Sequence, residues 1–212
     1  MYITRHTRPE ISIHVNLLGR RTSNPSPLNL QTGIRVLKYL VSSVEDGLTL
    51  KNENQESKNQ EKQGLIRGYA DASYKGEQAI SQSGSILKIN GQLVMWSSQR
   101  QSTTVQSITE AEYIAVSEVA KDVQWLRQFL EELSITSKPI IYTGNEAALK
   151  LTKTQTFHQR SRHIEHRHHY IRELVNRNLV EMRGIAGMEN PADIMTKIVP
   201  MITMRKWRNM IC

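Results

Sequence analysis

At 212 residues, 38% of them hydrophobic, the chain is long enough for one well-buried α/β domain with a smaller appendage and too short for two full domains. No run approaches the roughly 18 consecutive apolar residues of a membrane span, and Met1-Tyr2-Ile3-Thr4-Arg5-His6-Thr7-Arg8 lacks the apolar core of a secretory signal, so a soluble intracellular protein with no membrane partner is expected. The net charge of +8 is uneven, with +3 in residues 1–50, −1 in residues 51–150 and +6 in residues 151–212; basic ends of this kind favour a polyanionic partner such as nucleic acid. Cys212 is the only cysteine, so no disulfide can form within the chain.

Residues 9–48 read as two helices, the first starting near Pro9 and the second covering Leu30 to Val44, with Ile34, Leu37, Leu40 and Val41 at helical spacing and Asn24-Pro25-Ser26-Pro27 between them. Lys51 to Gln63 contains no apolar residue and is expected to be a linker. Strands follow at Leu65–Ser73, Ser83–Ile89 and Leu93–Ser97. Asn90-Gly91 joins the last two and is a strong hairpin signal, because both turn residues must take positive φ. Helices are expected at Ile108–Lys121 and Val123–Leu133, a strand at Pro139–Thr143, helices at Asn145–Lys153 and His163–Asn176, a strand at Leu179–Ile185 and a short helix from Pro191. This order predicts an α/β (α+β) fold, a five-stranded mixed sheet flanked by helices and preceded by a small helical segment. The expected divisions are 1–50, a helical segment; 51–63, the linker; 64–200, the main domain; and 201–212, a C-terminal tail.

Three acids stand out. Glu112 shares a helix face with Ala115, Val116 and Val119, and an acid on an apolar face costs several kcal/mol unless it is paired or binds a metal. Glu110 and Glu118 fall elsewhere on that helix and read as solvated charges. Asp71 closes the alternating run Leu65, Arg67, Tyr69 on the first strand, where acids are disfavoured. Asp193 lies at the start of a helix, a place where the helix dipole favours an ordinary acid as well as a site residue.

In combination these residues sit in motifs that resemble a known family. Gly68-Tyr69-Ala70-Asp71-Ala72-Ser73-Tyr74, Trp96-Ser97-Ser98-Gln99, Thr109-Glu110-Ala111-Glu112-Tyr113-Ile114-Ala115, Arg162-His163-Ile164-Glu165-His166-Arg167, His169-Tyr170-Ile171-Arg172-Glu173 and Pro191-Ala192-Asp193-Ile194-Met195-Thr196-Lys197 resemble the ribonuclease H domain of copia-type LTR retrotransposon Pol polyproteins. Tyr2-Ile3-Thr4, Thr7-Arg8-Pro9-Glu10-Ile11 and Val15-Asn16-Leu17-Leu18 are similar to the stretch joining reverse transcriptase to that nuclease. The resemblance implies a ribonuclease H-like fold that cuts the RNA strand of an RNA–DNA hybrid with two Mg²⁺ ions, Mn²⁺ being the substitute. Asp71 would bridge the ions and Glu112 and Asp193 would complete the ligands. It also implies the reverse transcriptase portion of a related element as a partner.

One position departs from the family. An Asp-Asn pair is expected after the fourth strand, and the chain carries Gly144-Asn145, so one metal-ligand carboxylate is missing. Four carboxylates balance the charge of two divalent ions and three do not, so hybrid cleavage is expected to fall by at least ~10²-fold. Glu146 is the nearest substitute but lies a helical step past the junction. His163, His166, His168 and His169 crowd one helix and raise a second, transition-metal reading. Ser98, Arg100, Arg160, Arg162 and Arg167 are the candidates for backbone contacts to nucleic acid. The chain has no Tyr-x-Asp-Asp polymerase motif, protease triplet, zinc motif or integrase segment, which suggests a truncated, degenerate Pol fragment with an inactive nuclease. The alternatives are a residual Mg²⁺-dependent ribonuclease H and a catalytically dead hybrid-binding module. Apolar residues on the N-terminal helices, Leu17, Leu18, Leu37 and Leu40, suggest that removing residues 1–60 would improve soluble yield.

Overall fold

Strands β1 (Gln63–Ser73), β2 (Gln82–Ile89) and β3 (Gln92–Arg100) form an antiparallel meander, while β4 (Lys138–Thr143) and β5 (Glu181–Gly184) run parallel to β1 on its other side. The spatial order is β3-β2-β1-β4-β5, the five-stranded mixed sheet expected from the sequence. The structure is a computed structural model that describes residues 2–50, 63–74, 81–153 and 165–211. The expected linker falls almost entirely outside the described residues. Asn90 and Gly91 take φ values of 48° and 79°, so the two-residue turn joins β2 to β3 as its sequence requires.

Helices α4 (Ile108–Glu132), α5 (Glu146–Lys153) and α6 (Glu165–Asn176) cover one face of the sheet. Their apolar residues, among them Val116, Val119, Val123, Ala148 and Ile171, join Ile66, Ala70, Leu87 and Ile141 in one buried core. α4 is a single helix where two were expected. Nothing at Lys121-Asp122 breaks it, and Val119, Val123, Leu126 and Leu130 carry the apolar face straight through. Because α5 and α6 also pack against α4, Tyr113 and Ile114 are buried as well.

The opposite face of the sheet carries a second core. Helix α7 (Met201–Ile211) lays Met204, Trp207 and Ile211 against Ile86, Leu93, Ile194 and Met195. The segment read from sequence as a C-terminal tail is thus a packed amphipathic helix.

Residues 2–50 hold α1 (Tyr2–His6), α2 (Ser12–Gly19) and α3 (Pro27–Ser42), with a 3-10 turn at Pro9–Ile11 where one helix was expected to begin. α3 starts at Pro27, earlier than the apolar pattern implies, because Ser26 caps it and its hydroxyl accepts from Asn29 N at 3.3 Å. This segment lies against the sheet. Trp96 Nε1 donates to Thr4 O at 2.6 Å and Asn16 Nδ2 donates to Ser98 O at 3.0 Å. Tyr39 and Leu48 pack onto the second core, and Arg208 on α7 pairs with Asp46. Within the segment, Arg8 and Glu10 form a buried ion pair at 2.6 Å, and Arg8 also donates to Ser43 O at 2.9 Å.

Candidate metal and nucleic-acid site

Asp71 stands near the C-terminal end of β1, at the point where the antiparallel half of the sheet meets the parallel half. Ala70 pairs with Thr143 of β4, so the next residues along the two parallel strands, Asp71 and Gly144, are neighbours on the same face. Glu112 comes from the second turn of α4 and Asp193 from a 3-10 turn, Pro191–Met195, that follows β5. All three acids are nearly removed from water, at 5% exposure for Asp71, 8% for Glu112 and 7% for Asp193.

Two glycines bring the other elements close enough for this. A Cβ at Gly68 would meet Val119 Cγ1 at 2.7 Å and Val123 Cγ2 at 2.9 Å, so its absence lets α4 lie tight on β1 and carry Glu112 to the strand end. A Cβ at Gly84, the β2 partner of Asp71, would meet Met195 Cβ and Thr196 Cγ2 at 2.7 Å and Ala192 O at 2.9 Å. The turn bearing Asp193 therefore sits directly over β2. Asn190 fixes it from the other end, its Nδ2 donating to Ala70 O at 2.9 Å and its Oδ1 accepting from Ala192 N at 3.1 Å. Neither glycine nor Asn190 was singled out from the sequence, because a close approach between elements distant in the chain leaves no periodic signal.

Lys197 closes the cluster. Its Nζ lies 2.8 Å from Asp193 Oδ2 and 3.5 Å from Asp71 Oδ1, and Thr196 Oγ1 donates to Asp71 Oδ2. Burial pulls the Lys197 ammonium down, but Asp71 and Asp193 outweigh it and hold its pKa above the ordinary lysine value. Burial and then the charge of Asp193 push the Asp71 carboxyl up to about 7, against the pull of Lys197 and Thr196. Glu112 is raised to about 8 by burial and then by Asp71, although it accepts a hydrogen bond from Ala72 N. Glu112 Oε2 and Asp193 Oδ1 are buried with no hydrogen-bond partner. An orphaned carboxylate oxygen is costly in such a place.

These donors suit a hard divalent cation, since all are carboxylate oxygens and two are unsatisfied. Among the described residues, however, no three acid, imidazole or thiol groups stand close enough to hold one ion, and Lys197 already lies between two of the acids. Among the described residues, a Cβ at Gly144 would meet only Ile185 O, at 3.8 Å. Asn145 caps α5, its Oδ1 accepting from Ala148 N at 2.8 Å, and Glu146 points to solvent in the first turn of that helix.

The chain is 33% identical over 203 residues to the retrovirus-related Pol polyprotein from transposon TNT 1-94 of Nicotiana tabacum, an alignment covering 94% of this chain and 15% of that protein. It belongs to the Pol polyproteins of copia-type retrotransposons. The chain spans about 15% of the length of such a Pol polyprotein. It is also 36% identical over 128 residues to the secreted RxLR effector protein 161 of Plasmopara viticola, covering 59% of this chain and 84% of that protein. No family model matches. Among solved structures, LC11-RNase H1, isolated from compost, is similar with a TM-score of 0.51 and 16% identity, over 63% of this chain and 93% of that one. The fold of this Pol segment is therefore ribonuclease H-like.

The remaining candidates in this Pol segment are placed unevenly. Ser98 is half-buried, and its hydroxyl donates to Met195 O at 2.6 Å and accepts from Gln82 Nε2 at 3.0 Å, which ties β3 to the Asp193 turn. Arg100 is exposed at the end of β3. Arg160, Arg162 and His163 lie outside the described residues, and the side chains of His166, Arg167 and His168, on α6, do so too. His169 is exposed. Glu110 corrects its expectation. It is 8% exposed, not solvated, because it completes the α4 cap: its Oε2 accepts from Gln106 N at 2.7 Å while its own N donates to Ser107 Oγ at 3.1 Å. Glu118 is half-buried.

Proposed function

We propose that this Pol segment engages RNA–DNA hybrid through a ribonuclease H-like site lacking one acid, and that it cleaves the RNA strand at least ~10²-fold more slowly than a four-acid site would. The observation carrying this reading is the placement of Gly144 beside Asp71, with room among the described residues for an aspartate side chain. By the family resemblance Asp71, Glu112 and Asp193 would be the residues to hold Mg²⁺ or Mn²⁺, although as placed no three of them surround one ion; when bound, the ion would supply positive charge at the phosphate and acidify water. The chain's own residues orient that chemistry. Thr196 and Lys197 fix the Asp71 carboxylate, and Asn190 holds the Asp193 turn against β1. Hybrid as the ligand is supported by the similar LC11-RNase H1, whose structure in complex with RNA/DNA hybrid has a TM-score of 0.50 and 15% identity to this chain. Selection of the hybrid would rest on 2′-hydroxyls and helix shape, not on base sequence.

Binding and cleavage separate in one experiment. The chain should bind a labelled hybrid with an affinity that falls steeply with salt and exceeds that for duplex DNA, while any residual Mg²⁺-dependent cleavage disappears in Asp71→Asn. Equal affinity for hybrid and duplex DNA would overturn the binding part of the reading. Cleavage at the rate of a four-acid enzyme would overturn the rest.

A further inference from the structure

We propose that Arg20 and Arg100 together hold one backbone phosphate of the bound nucleic acid, which brings the N-terminal segment into the interface. The inference deepens the nucleic-acid reading above and rests on it. Arg20 follows the last residue of α2, and its Nε and Nη2 donate to Asn16 Oδ1 at 3.1 and 2.8 Å. Nη2 also donates to Gln82 Oε1 on β2. Gln82 is the cross-strand partner of Arg100, so the sheet register sets the second arginine beside the first.

Among the described residues neither arginine pairs with a carboxylate. The acceptors of Arg20 are neutral amides, while Glu10 and Asp46 of the same segment are taken by Arg8 and Arg208. Burial and then the charge of Arg100 pull the Arg20 guanidinium down from its ordinary pKa, the response of a half-buried cation held beside a like charge. A phosphate relieves both costs, and its oxygens suit the planar N–H fork of arginine. The position fits as well. Asp71, Gly84 and Ser98 form one cross-strand row; Ser73, Gln82 and Arg100 form the row two residues on, about 7 Å along the strands and on the same face. Gln82 also donates to the Ser98 hydroxyl that holds the Asp193 turn, so side-chain bonds tie the arginine pair to the acids. A nucleic-acid strand crossing Asp71 would therefore carry a phosphate to the pair within a few nucleotides.

Binding of labelled RNA–DNA hybrid and of duplex DNA of the same sequence, over a salt series, tests this without reference to cleavage. The chains compared are the full parent, Arg20→Gln, Arg100→Gln, the double variant and Arg21→Gln, each checked for folding by circular dichroism. Arg21 is exposed and controls for net charge, and Arg100 is exposed too, so Arg100→Gln leaves the packing of α2 untouched. Arg20→Gln and Arg100→Gln should each weaken binding to both nucleic acids by about 10-fold and flatten the slope of log affinity against log salt by about 1, while Arg21→Gln changes affinity by less than ~2-fold. The double variant should lose little more than either single one, because both arginines serve one phosphate. Losses no larger than that of Arg21→Gln, or additive losses in the double variant, would overturn the inference. Equal affinity of the parent for hybrid and duplex DNA, with the arginine effects intact, would overturn the hybrid reading alone. No binding of either by the folded parent would overturn both.

Discussion

Gly144 lies beside Asp71 where β4 leaves the sheet, in register through the Ala70–Thr143 pair, and among the described residues nothing nearer than Ile185 O at 3.8 Å would meet a Cβ placed there. On the proposed reading the gap is a local one, since Gly68, Gly84 and Asn190 still bring the elements bearing Asp71, Glu112 and Asp193 close together. Gly144→Asp should consequently fold normally. We expect a midpoint of thermal unfolding within a few degrees of the parent in the presence of Mg²⁺, and a larger deficit in metal-free buffer at alkaline pH, where the added carboxylate joins an uncompensated cluster.

Metal-free stability should fall as pH rises. Asp71 and Glu112 have folded-state pKa values of about 7 and about 8, above their ordinary values of 3.8 and 4.5. Between those limits the native chain therefore holds more protons than the unfolded one. The stabilisation is complete below about pH 4 and is lost as pH passes through 7 to 8. Thermal unfolding in chelator at pH 5.5 and pH 8.5 should show a midpoint lower by roughly 5–10 °C at the higher pH, with Mn²⁺ recovering more of the loss at pH 8.5 than at pH 5.5. A midpoint independent of pH would contradict the buried, mutually repelling acids.

The glycines that bring the site together should resist substitution. Gly84→Ala puts a methyl within 2.9 Å of Ala192 O and 2.7 Å of Met195 Cβ, backbone and inner side chain that cannot swing aside. A loss of about 1–3 kcal/mol is expected from overpacking, together with weaker Mn²⁺ binding because the Asp193 turn must lift. Gly68→Ala crowds the methyls of Val119 and Val123 and should cost stability while moving Glu112 less. Urea unfolding and Mn²⁺ titration of the two variants distinguish these effects.

Removal of residues 1–50 should destabilise the chain, contrary to the gain in soluble yield that the apolar residues of the N-terminal helices suggest for removing residues 1–60; of Leu17, Leu18, Leu37 and Leu40, only Leu37 is exposed. Deletion takes away the Thr4 acceptor of Trp96, the Asn16 bond to Ser98, and the Tyr39, Leu48 and Asp46 contacts with the α7 side of the sheet. A midpoint lower by more than 5 °C is expected, on the order of 2 kcal/mol or more. An unchanged midpoint would show that the segment packs without contributing.

The sheet was legible because its signals are local: alternation in β1, the Asn90-Gly91 turn, and acids in places where an apolar face or strand disfavours them. Glu112 was found that way, by its company on α4. What sequence could not supply was anything depending on two elements meeting. That α4 runs unbroken through Asp122 depends on the sheet and helices its apolar face meets. The capping role of Glu110 likewise depends on Ser107 and Gln106 taking up the turn that precedes α4. The amphipathic pattern of Met204, Trp207 and Ile211 was present in 201–212, yet only the apolar surface of Ile86 and Leu93 gives it something to cover. Lys197 was visible as part of a motif, whereas its position between Asp71 and Asp193 is a property of the fold.

Cleavage of a labelled RNA–DNA hybrid by the parent chain and by Gly144→Asp, in Mg²⁺ and in Mn²⁺, tests the central claim most directly. The account predicts weak or no cleavage by the parent and an increase of at least ~10²-fold on restoring the carboxylate. Equal activity in the two chains would contradict it by showing that Gly144 is not the missing ligand position, and no activity in either would contradict the claim that the rest of the site is intact.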